Sequence, residues 1–391
     1  MARKSITGEN AISHGSGKER MTRTVSRFVR ILDTLAPVRL AESWDTVGLQ
    51  IGSMNWPVKK IWTALDPLPE VVEAACKNHV NLLVTHHPLF FKPIRKIDAD
   101  SPTGKIIEMA MVHQLAIYSA HTNLDSVAGG VSDVLADRIG LEHRSVLSKR
   151  PGDMAKLVVF VPSTHVEAVL DTLFNLGAGR IGNYAGCSFR CDGKGTFLPE
   201  PGASPSIGNV GMATTVAESR IEVLVPLADA GRILAGLKTV HPYETPAWDM
   251  YPLSGDDPDN GLGRVGMLPV PVPMKDLVQT LKAALGLSTV KIVGSADALV
   301  QRVALCAGSG GSLLNAAISS GADVYVSGDL GYHTARDAQQ ANIALIDVGH
   351  FSSERLIVDT LTTVIQAAAK KQGLDVTVAS AEVEADPFHY L

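Results

Sequence analysis

The sequence predicts an α/β protein whose doubly wound core is split by an inserted α+β domain. Strand, helix and strand patterns alternate between residues 60 and 138, and the same alternation resumes after residue 263. The residues in between instead show two strand–helix–strand units with an extra strand between them. At 391 residues, the chain is long enough for two or more domains.

Composition and charge describe an ordinary globular protein and disfavour two classes of partner. Hydrophobic residues make up 46% of the chain and charged residues 19%. With 35 basic and 40 acidic residues the net charge is -5, so we expect no broad positive surface for nucleic acid. No apolar run reaches the roughly 20 residues of a membrane helix. The four scattered cysteines are too few for a disulfide framework and predict a reducing cytoplasm.

Residues 1–22 are predicted to form a disordered tail ahead of the core. They are polar and lack the apolar segment of a signal peptide, and Glu9 and Glu19 argue against a transit peptide. An overlong start upstream of Met21 is the other interpretation of this segment.

The first half of the core, residues 23–150, is predicted to consist of parallel crossover units. Apolar spacing predicts helices at residues 25–35, 68–77, 105–114 and 131–138, and strands at 60–65, 81–85 and 116–119. Ligands bind at the carboxyl ends of such strands in open α/β sheets. The polar residues that follow each strand are therefore the first candidates for a site.

Two adjacent histidines, His86 and His87, follow the strand at residues 81–85. Neighbouring side chains on a strand point to opposite faces, so the pair converges on one site only if the chain turns there. Pro88 favours such a turn. By itself the pair fits a metal site and a structural role equally well. The segment from His121 to Asp125 follows the next strand and lies at the same predicted edge.

The inserted domain is predicted at residues 151–255. Its patterns indicate strands at 156–161, 219–225 and 247–251 and helices at 164–176 and 227–237, an order that suggests a ferredoxin-like α+β fold. Thr164, with Glu167 three positions later, is predicted to cap the first of these helices. A loop rich in Gly and Pro is predicted at 177–211, and the Asp-rich segment 254–261 is read as the exit linker.

The second half of the core, residues 256–391, carries strands predicted at 303–307, 324–327 and 343–346. His350 follows the last of these strands, just before a helix predicted at 352–370. His350 and Glu354 are four residues apart and share a face if helical geometry begins at His350. Helix capping by Ser352 or Ser353 accounts for the serines and leaves the histidine unexplained. The spacing therefore favours a metal site.

These strand ends together offer more ligands than one ion with an open position requires. Two divalent ions bridged by Asp125 or Glu354 are the economical arrangement. Nitrogen and oxygen ligands without cysteine suit Zn, Fe, Mn or Co. The collected candidates are His86, His87, His121, Asp125, His350 and Glu354.

Two further segments carry weaker signals. The glycine-rich turn at residues 308–312 resembles an anion site at a helix N-terminus, but it lacks the lysine of a P-loop, which favours a tight turn. His333 follows another strand end, and its position fits a proton donor beside the metals as well as a surface histidine.

Four segments together form a recognisable pattern, namely Trp44-Asp45-Thr46-Val47-Gly48-Leu49, Thr85-His86-His87-Pro88, His121-Thr122-Asn123-Leu124-Asp125 and Asp347-Val348-Gly349-His350 with Glu354. In combination they resemble the GTP cyclohydrolase 1 type 2 homologue family, also called the Ngg-interacting factor three family. The resemblance covers about residues 24–391 and implies a dinuclear metal site in a split α/β core, assembled as a toroidal homohexamer. It implies that the metal ligands are His86, His87, Asp125, His350 and Glu354, with His121 close to the site.

The insertion is similar to the inserted domain of the longer bacterial members, which resembles PII and CutA proteins. Two segments carry this likeness, Gly182-Asn183-Tyr184 and the stretch from His241 to Asp249.

Two functions are compatible with these features. In the first, the protein is a metal-dependent hydrolase of a small molecule, with His121 or His333 moving protons. The family name implies ring-opening hydrolysis of GTP or a related nucleotide. In the second, the protein is a non-catalytic metal chaperone or a regulatory protein, with the insertion as its sensor or interaction module. A solvent-open cleft at the metal centre favours the first function, and a closed coordination sphere favours the second.

Overall fold

The structure, a computed structural model, describes residues 23–389, so the tail predicted at residues 1–22 lies outside the described residues. The helices are α1 (Val25–Leu35), α2 (Pro69–Lys77), α3 (Pro102–Val112), α4 (Thr122–Ser126), α5 (Val131–Arg138), α6 (Val166–Asn175), α7 (Ala230–Val240), α8 (Met274–Leu285), α9 (Leu314–Ser319), α10 (Tyr332–Ala341), α11 (His350–Glu354) and α12 (Leu356–Lys371). The strands are β1 (Gly48–Ile51), β2 (Lys60–Ala64), β3 (Leu82–Thr85), β4 (Ala116–Ser119), β5 (Glu142–Pro151), β6 (Met154–Pro162), β7 (Ser188–Phe197), β8 (Thr214–Pro226), β9 (Trp248–Pro252), β10 (Asp256–Pro273), β11 (Lys291–Val293), β12 (Leu299–Ser309), β13 (Val324–Gly328), β14 (Ala344–Asp347) and β15 (Thr377–Ser380).

The fold is mixed α/β, and the strands of residues 23–389 form three sheets. The first sheet has the order β1-β4-β3-β2-β15, in which all neighbours except β1 and β4 run parallel. The second has the order β11-β14-β13-β12-β10-β5 and is parallel only from β12 to β14. The third has the order β7-β8-β6-β9 and is antiparallel throughout. All strands of this third sheet lie between Met154 and Pro252.

The first two sheets share one hydrophobic core. Residues of β2 to β4 and of β12 to β14 pack around helices α1, α5, α8 and α12, which bury one apolar face each. In α1, for example, Val25, Phe28, Ile31 and Leu32 recur at helical spacing and are all buried. The outer faces are covered by α2 and α3 on the first sheet and by α9 and α10 on the second. All four residues of β3 are consequently buried, as its unbroken apolar pattern predicts.

Tertiary pairing overrides the sequence pattern at two places. Strand β7 lies inside the segment 177–211, which was predicted to be a loop. Its ten residues are almost wholly exposed and include two glycines, and they form a strand because all ten pair with residues of β8. The predicted linker at 254–261 instead begins strand β10, whose first residue, Asp256, pairs with Pro151 of β5. Neither segment shows the apolar alternation of a half-buried strand, and the pattern alone misses both.

Two helix starts also differ from the predictions. Helix α6 begins after His165, and Thr164 contacts the His165 ring rather than capping the helix. The helix predicted at 352–370 is two helices, α11 and α12, with Gly349 at the start of the first. Ser353 does not cap it. The Ser353 hydroxyl accepts a hydrogen bond from the backbone of Gly308 and donates one to the carbonyl of His350.

Within residues 23–389, none of the helices combines the length and hydrophobicity needed to cross a lipid bilayer.

Candidate metal centre

The carboxyl ends of strands from two different sheets face each other across one cluster of side chains. His86 and His87 follow β3 of the first sheet, and His350 follows β14 of the second. Asp125 lies on α4 and Glu354 on α11, the short helices that begin beyond β4 and β14. The predicted ligands therefore converge, although they come from the edges of two sheets rather than one.

The histidine pair turns toward the site as soon as β3 ends. The backbone of His86 donates to Ala64 and that of His87 to Leu65, so both residues stay bonded to the end of β2. The Thr85 hydroxyl donates to the His87 carbonyl at 2.7 Å and stabilises the turn. The two imidazole rings consequently lie on the same side of the chain, with centroids 5.0 Å apart.

Glu354 is at the centre of the cluster. Its Oε2 lies 3.0 Å from Nε2 of His87 and 3.0 Å from Nε2 of His350, and these two nitrogens are 3.3 Å apart. Its Oε1 faces the other way, 3.7 Å from Nε2 of His86, and Asp125 Oδ1 lies 3.7 Å from the same nitrogen. Each carboxylate oxygen of Glu354 thus faces a different group of ligands.

These contacts fit a metal ion better than they fit hydrogen bonding. Nε2 of His86 and Oε2 of Glu354 are buried, and neither has a hydrogen-bond partner of acceptable geometry. Tetrahedral ligands about 2.0 to 2.1 Å from zinc lie about 3.3 Å from one another, close to the 3.0 to 3.3 Å spacing of His87, His350 and Glu354. Orphaned donor atoms at this spacing are what a bound cation satisfies.

Within residues 23–389, three groups of ligand atoms have the compactness of a metal site, with all atoms of a group within 4.8 Å of one another. They overlap, because His86, His87 and Glu354 each belong to two of them. The groups are His87 with His350 and Glu354, His86 with Asp125 and Glu354, and His86 with His87 and His121.

The electrostatics of the cluster favour a cation. Burial lowers the pKa of His87. The hydrogen bond to Asp66 and the adjacent Glu354 carboxylate outweigh this effect of burial and raise the pKa to about 10. The contact with Glu354 likewise raises the pKa of His350 to about 9, against the effect of burial. For Glu354 itself, burial is outweighed by the surrounding imidazoles, which hold its pKa well below the usual range. Carboxylates that attract a proton to an imidazole attract a divalent ion for the same reason.

One glycine makes room for Glu354. Gly308, at the end of β12, has a φ of +68°, and a Cβ at this position would lie 1.9 Å from Glu354 Oε1. The strand end therefore reaches the carboxylate only because position 308 has no side chain.

A cavity of about 660 Å³ opens onto this cluster. Its wall includes His87 and His350, so two of the ligands face an accessible space. The aromatic rings of Phe351 and Phe388 and the side chain of Lys291 also line it. Its volume is in the range of sites for small ligands and cofactors.

Comparison with known proteins identifies the family. A family model described as Duf34/NIF3 (NGG1p interacting factor 3) matches residues 23–387. The chain belongs to the DUF34/NIF3 family. The predicted family resemblance is thereby confirmed, and every residue of the cluster lies inside the matched range.

The DUF34/NIF3 relatives include bacterial proteins called GTP cyclohydrolase 1 type 2 homolog. The one from Halalkalibacterium halodurans is 37% identical over 364 residues, covering 93% of this chain and 98% of the relative. The one from Mycobacterium tuberculosis is 40% identical over 339 residues, covering 85% and 89%. Among solved structures, the Bacillus cereus protein related to NIF3 has a TM-score of 0.78 at 36% identity, with 94% and 99% of the chains covered. Staphylococcus aureus protein SA1388 has a TM-score of 0.79 at 29% identity, with 94% and 99% covered.

In this DUF34/NIF3 protein, every histidine of the cluster uses Nδ1 to bind an oxygen acceptor. The acceptor holds the proton on Nδ1, so the lone pair of Nε2 is directed into the cluster. Asp66 and Asp329 are two of these acceptors that the sequence pattern did not single out, although each follows a strand end as the histidines do. The pairs are His86 with the Ala120 carbonyl at 2.9 Å, His87 with Asp66 at 2.7 Å, His121 with Asp45 at 3.0 Å and His350 with Asp329 at 2.8 Å.

The structure separates His121 from His333. His121 lies beside the cluster, with its ring 5.3 Å from that of His86 and 5.6 Å from that of His87. His333 is exposed on α10 and packs against Tyr332, and it belongs to none of the three ligand groups found within residues 23–389. In the turn at 308–312, two backbone N–H groups that could bind an anion already donate within the protein, that of Gly308 to Ser353 and that of Gly310 to Ser327.

Asp66→Ala is expected to weaken metal binding about 10- to 100-fold without removing a ligand. Asp66 orients His87 through Nδ1, and Glu384 holds Asp66 by accepting its backbone N–H at 2.7 Å. Competitive titration of metal against a chromogenic chelator measures the change. Asp337→Ala, which removes an exposed carboxylate on α10, is the matched control. Equal affinity of the two variants would contradict the assigned role of Asp66.

Proposed function

We propose that this chain is a dinuclear metal-dependent hydrolase of a small molecule. The observation that supports the proposal is that the two carboxylate oxygens of Glu354 face separate ligand groups. One divalent ion would be held by His87, His350 and Glu354, and the other by His86, Asp125 and Glu354. Nitrogen and oxygen ligands of this kind suit Zn, Fe, Mn or Co.

Divalent ions at this position would supply Lewis acidity and lower the pKa of water toward neutrality. The chain's own contribution begins with the Nδ1 hydrogen bonds of His86, His87 and His350, which fix the three rings so that every Nε2 faces the cluster. The rings of Trp44 and Phe91 lie 6.1 Å and 5.8 Å from that of His121 and shield it from bulk water.

We assign proton transfer to Nε2 of His121. Its Nδ1 donates to Asp45, whose pKa is lowered to about 2 because hydrogen bonds from His121 and Thr122 outweigh the effect of burial. Asp45 is therefore ionised at neutral pH and stabilises the imidazolium form of His121 when Nε2 takes up a proton. His333, which belongs to none of the ligand groups within residues 23–389, is given no role in this mechanism.

A nucleotide is the proposed substrate class. The name of the curated relatives, GTP cyclohydrolase 1 type 2 homolog, points to GTP, and ring opening would require attack at the imidazole carbon of guanine. The cavity beside His350 supports a planar substrate, because Phe351 and Phe388 line it, and Lys291, whose Nζ lies 3.1 Å from Asp347 Oδ2, adds a positive charge to its wall.

Turnover of GTP should require the metals and His121. We expect His87→Ala and chelation each to abolish turnover, and His121→Ala to lower it about 10²- to 10⁴-fold. His333→Ala is the matched histidine control and should retain wild-type turnover. Absorbance and product chromatography measure the reaction. Turnover that survives both chelation and His87→Ala would refute the proposed site.

The alternative is a non-catalytic metal-handling or regulatory protein. The observation that favours it is the burial of two central ligands, since His86 is 0% exposed and Glu354 is 4% exposed. A metal-replete protein that binds two ions and turns over no member of a nucleotide and phosphoester panel would establish this alternative.

We also propose that residues 151–255 fold as an independent ferredoxin-like, PII/CutA-like domain inserted into a doubly wound core. Support comes from the separate hydrophobic cluster of this segment, all of whose buried members lie between Ala155 and Leu237. Pro151 and Asp256 are paired across β5 and β10, so a short Gly/Ser linker spans the excision. Replacing 152–255 by such a linker should leave metal content unchanged, as measured by elemental analysis. Loss of soluble, metal-bound protein would show that the insertion is integral to the core.

Assembly as a homohexamer and a cytoplasmic location complete the proposal. The hexamer is supported by the family resemblance, and sedimentation velocity measures it. The cytoplasmic location is supported by the cysteines of residues 23–389, all four of which are free thiols.

A further inference from the structure

The third sheet has one covered face and one open face. Alternate residues of β6 and β8, such as Val159 and Val223, pack against helices α6 and α7. The residues between them point to the opposite face of the sheet. In the hydrophobic cluster of this sheet, none of the described helices packs against that face, which is called the open face. There Phe160 pairs with Arg220, Arg220 with Cys191, and Glu218 with Gly193.

A cavity of about 640 Å³ lies on this open face. Phe160, Phe197 and Tyr243 contribute its aromatic lining, and the segment from Pro199 to Ile207 also lines it. It is separate from the metal centre, because none of the metal ligands lines it.

Two glycines of β7 shape the floor of the cavity. A Cβ on Gly195 would lie 2.0 Å from Glu218 Oε2, so the missing side chain allows the Glu218 carboxylate to lie across β7. A Cβ on Gly193 would have no atom within 4 Å and would project into free space. The concavity thus depends on two glycines at alternate positions of one strand.

Glu218 is a buried carboxylate without a cationic partner. The residue is 8% exposed, and Oε1 accepts a hydrogen bond from the Tyr243 hydroxyl at 2.7 Å. Across residues 23–389, no Lys, Arg or His nitrogen forms an ion pair with it, and Oε2 accepts no hydrogen bond. Arg220, two residues along β8, instead contacts Glu222 at 2.9 Å. Burying an unpaired carboxylate is costly, so its retention requires a reason.

The neighbouring His241 does not neutralise this carboxylate. Its Nε2 donates to the Phe160 carbonyl at 2.9 Å, and its Nδ1 accepts from the backbone of Tyr243 at 3.1 Å. This hydrogen-bond pattern is that of a neutral imidazole. Burial also lowers the pKa of His241, which favours the neutral form as well. Glu218 at the floor of the cavity therefore has no ion-pair partner within residues 23–389, although Lys194 and Arg220, the latter paired with Glu222, also line the cavity.

We propose that this cavity binds a small organic ammonium ion, with Glu218 as its counter-ion. The ammonium group would donate to Oε2 of Glu218, while the aromatic rings of Phe160, Phe197 and Tyr243 stabilise the cation and its apolar body. A metal ion fits less well, since one carboxylate in an aromatic setting supplies too few oxygen ligands. The insertion thereby carries a ligand site of its own, independent of chemistry at the metal centre.

Titration calorimetry on the full chain tests the proposal with two ammonium probes that carry N–H donors, namely phenethylamine and spermidine. We expect at least one of them to bind wild type with a Kd of about 1 mM or tighter. Glu218→Gln, which keeps the shape and the Tyr243 contact, should weaken that binding at least about tenfold. Gly193→Val should do the same by filling the floor, and valine is well suited to a strand.

Three controls make the result specific. Glu167→Gln removes an exposed carboxylate of α6, and Glu354→Gln alters the metal centre, so both variants should bind the probe like wild type. For phenethylamine, the neutral isostere 2-phenylethanol should bind at least about tenfold more weakly. The proposal is overturned if no ammonium probe binds wild type, if Glu218→Gln and Gly193→Val bind as wild type does, or if the alcohol binds equally well.

Discussion

Glu354→Gln is expected to abolish retention of both metal ions, the largest effect of any single substitution at the centre. The substitution keeps the side-chain volume, so the close packing against Gly308 is preserved. It replaces one of the two oxygens by an N–H donor and removes the negative charge that all three contacting imidazoles face. Two of the three ligand groups contain Glu354, and each of these two uses one of its oxygens, so both lose an anionic ligand in this variant.

Metal content per chain after reconstitution and dialysis measures this effect. Wild type should retain two ions and Glu354→Gln close to none. Asp125→Asn is the informative comparison, because Asp125 belongs to only one ligand group and its loss should leave the ion at His87 and His350 in place. Wild-type metal content in Glu354→Gln would contradict the bridging role.

Gly308→Ala should lower both the metal content and the thermal stability of the protein, although it changes no ligand. The new Cβ would lie 1.9 Å from Glu354 Oε1, so the carboxylate or the end of β12 has to move. Alanine at a φ of +68° adds about 1 to 2 kcal/mol of backbone strain. A displaced Glu354 leaves His86 and His87 without their shared anion, and we expect metal loss comparable to that of Glu354→Gln.

Gly321→Ala separates these two contributions. Gly321 has a similar φ of +71°, but a Cβ there would meet no atom within 4 Å. Gly321→Ala should therefore lower the temperature of thermal unfolding through backbone strain alone and retain wild-type metal content. If Gly308→Ala and Gly321→Ala lose equal amounts of metal, contact with Glu354 is not the cause.

The local sequence predicts the ligands because their pattern is local. His86 and His87 directly follow an apolar strand, and His350 and Glu354 are spaced by one helical turn, features that require no knowledge of the rest of the chain. The same reasoning predicts α1 and β4 with their observed bounds. It leaves the role of His333 open, since a position after a strand end does not specify which way the following helix faces.

Local sequence determined that this chain has α/β elements with histidines and carboxylates at the strand ends, because hydrophobic periodicity and helical spacing act over a few residues. Tertiary structure alone decided that two sheets present those ends to each other and that Glu354 divides its oxygens between them. It also decided that Asp66 and Asp329 orient the imidazoles and that β7 is a strand. Each of these features is a contact between residues far apart in sequence, such as His87 and His350 at a separation of 263, and such contacts depend on how the sheets pack.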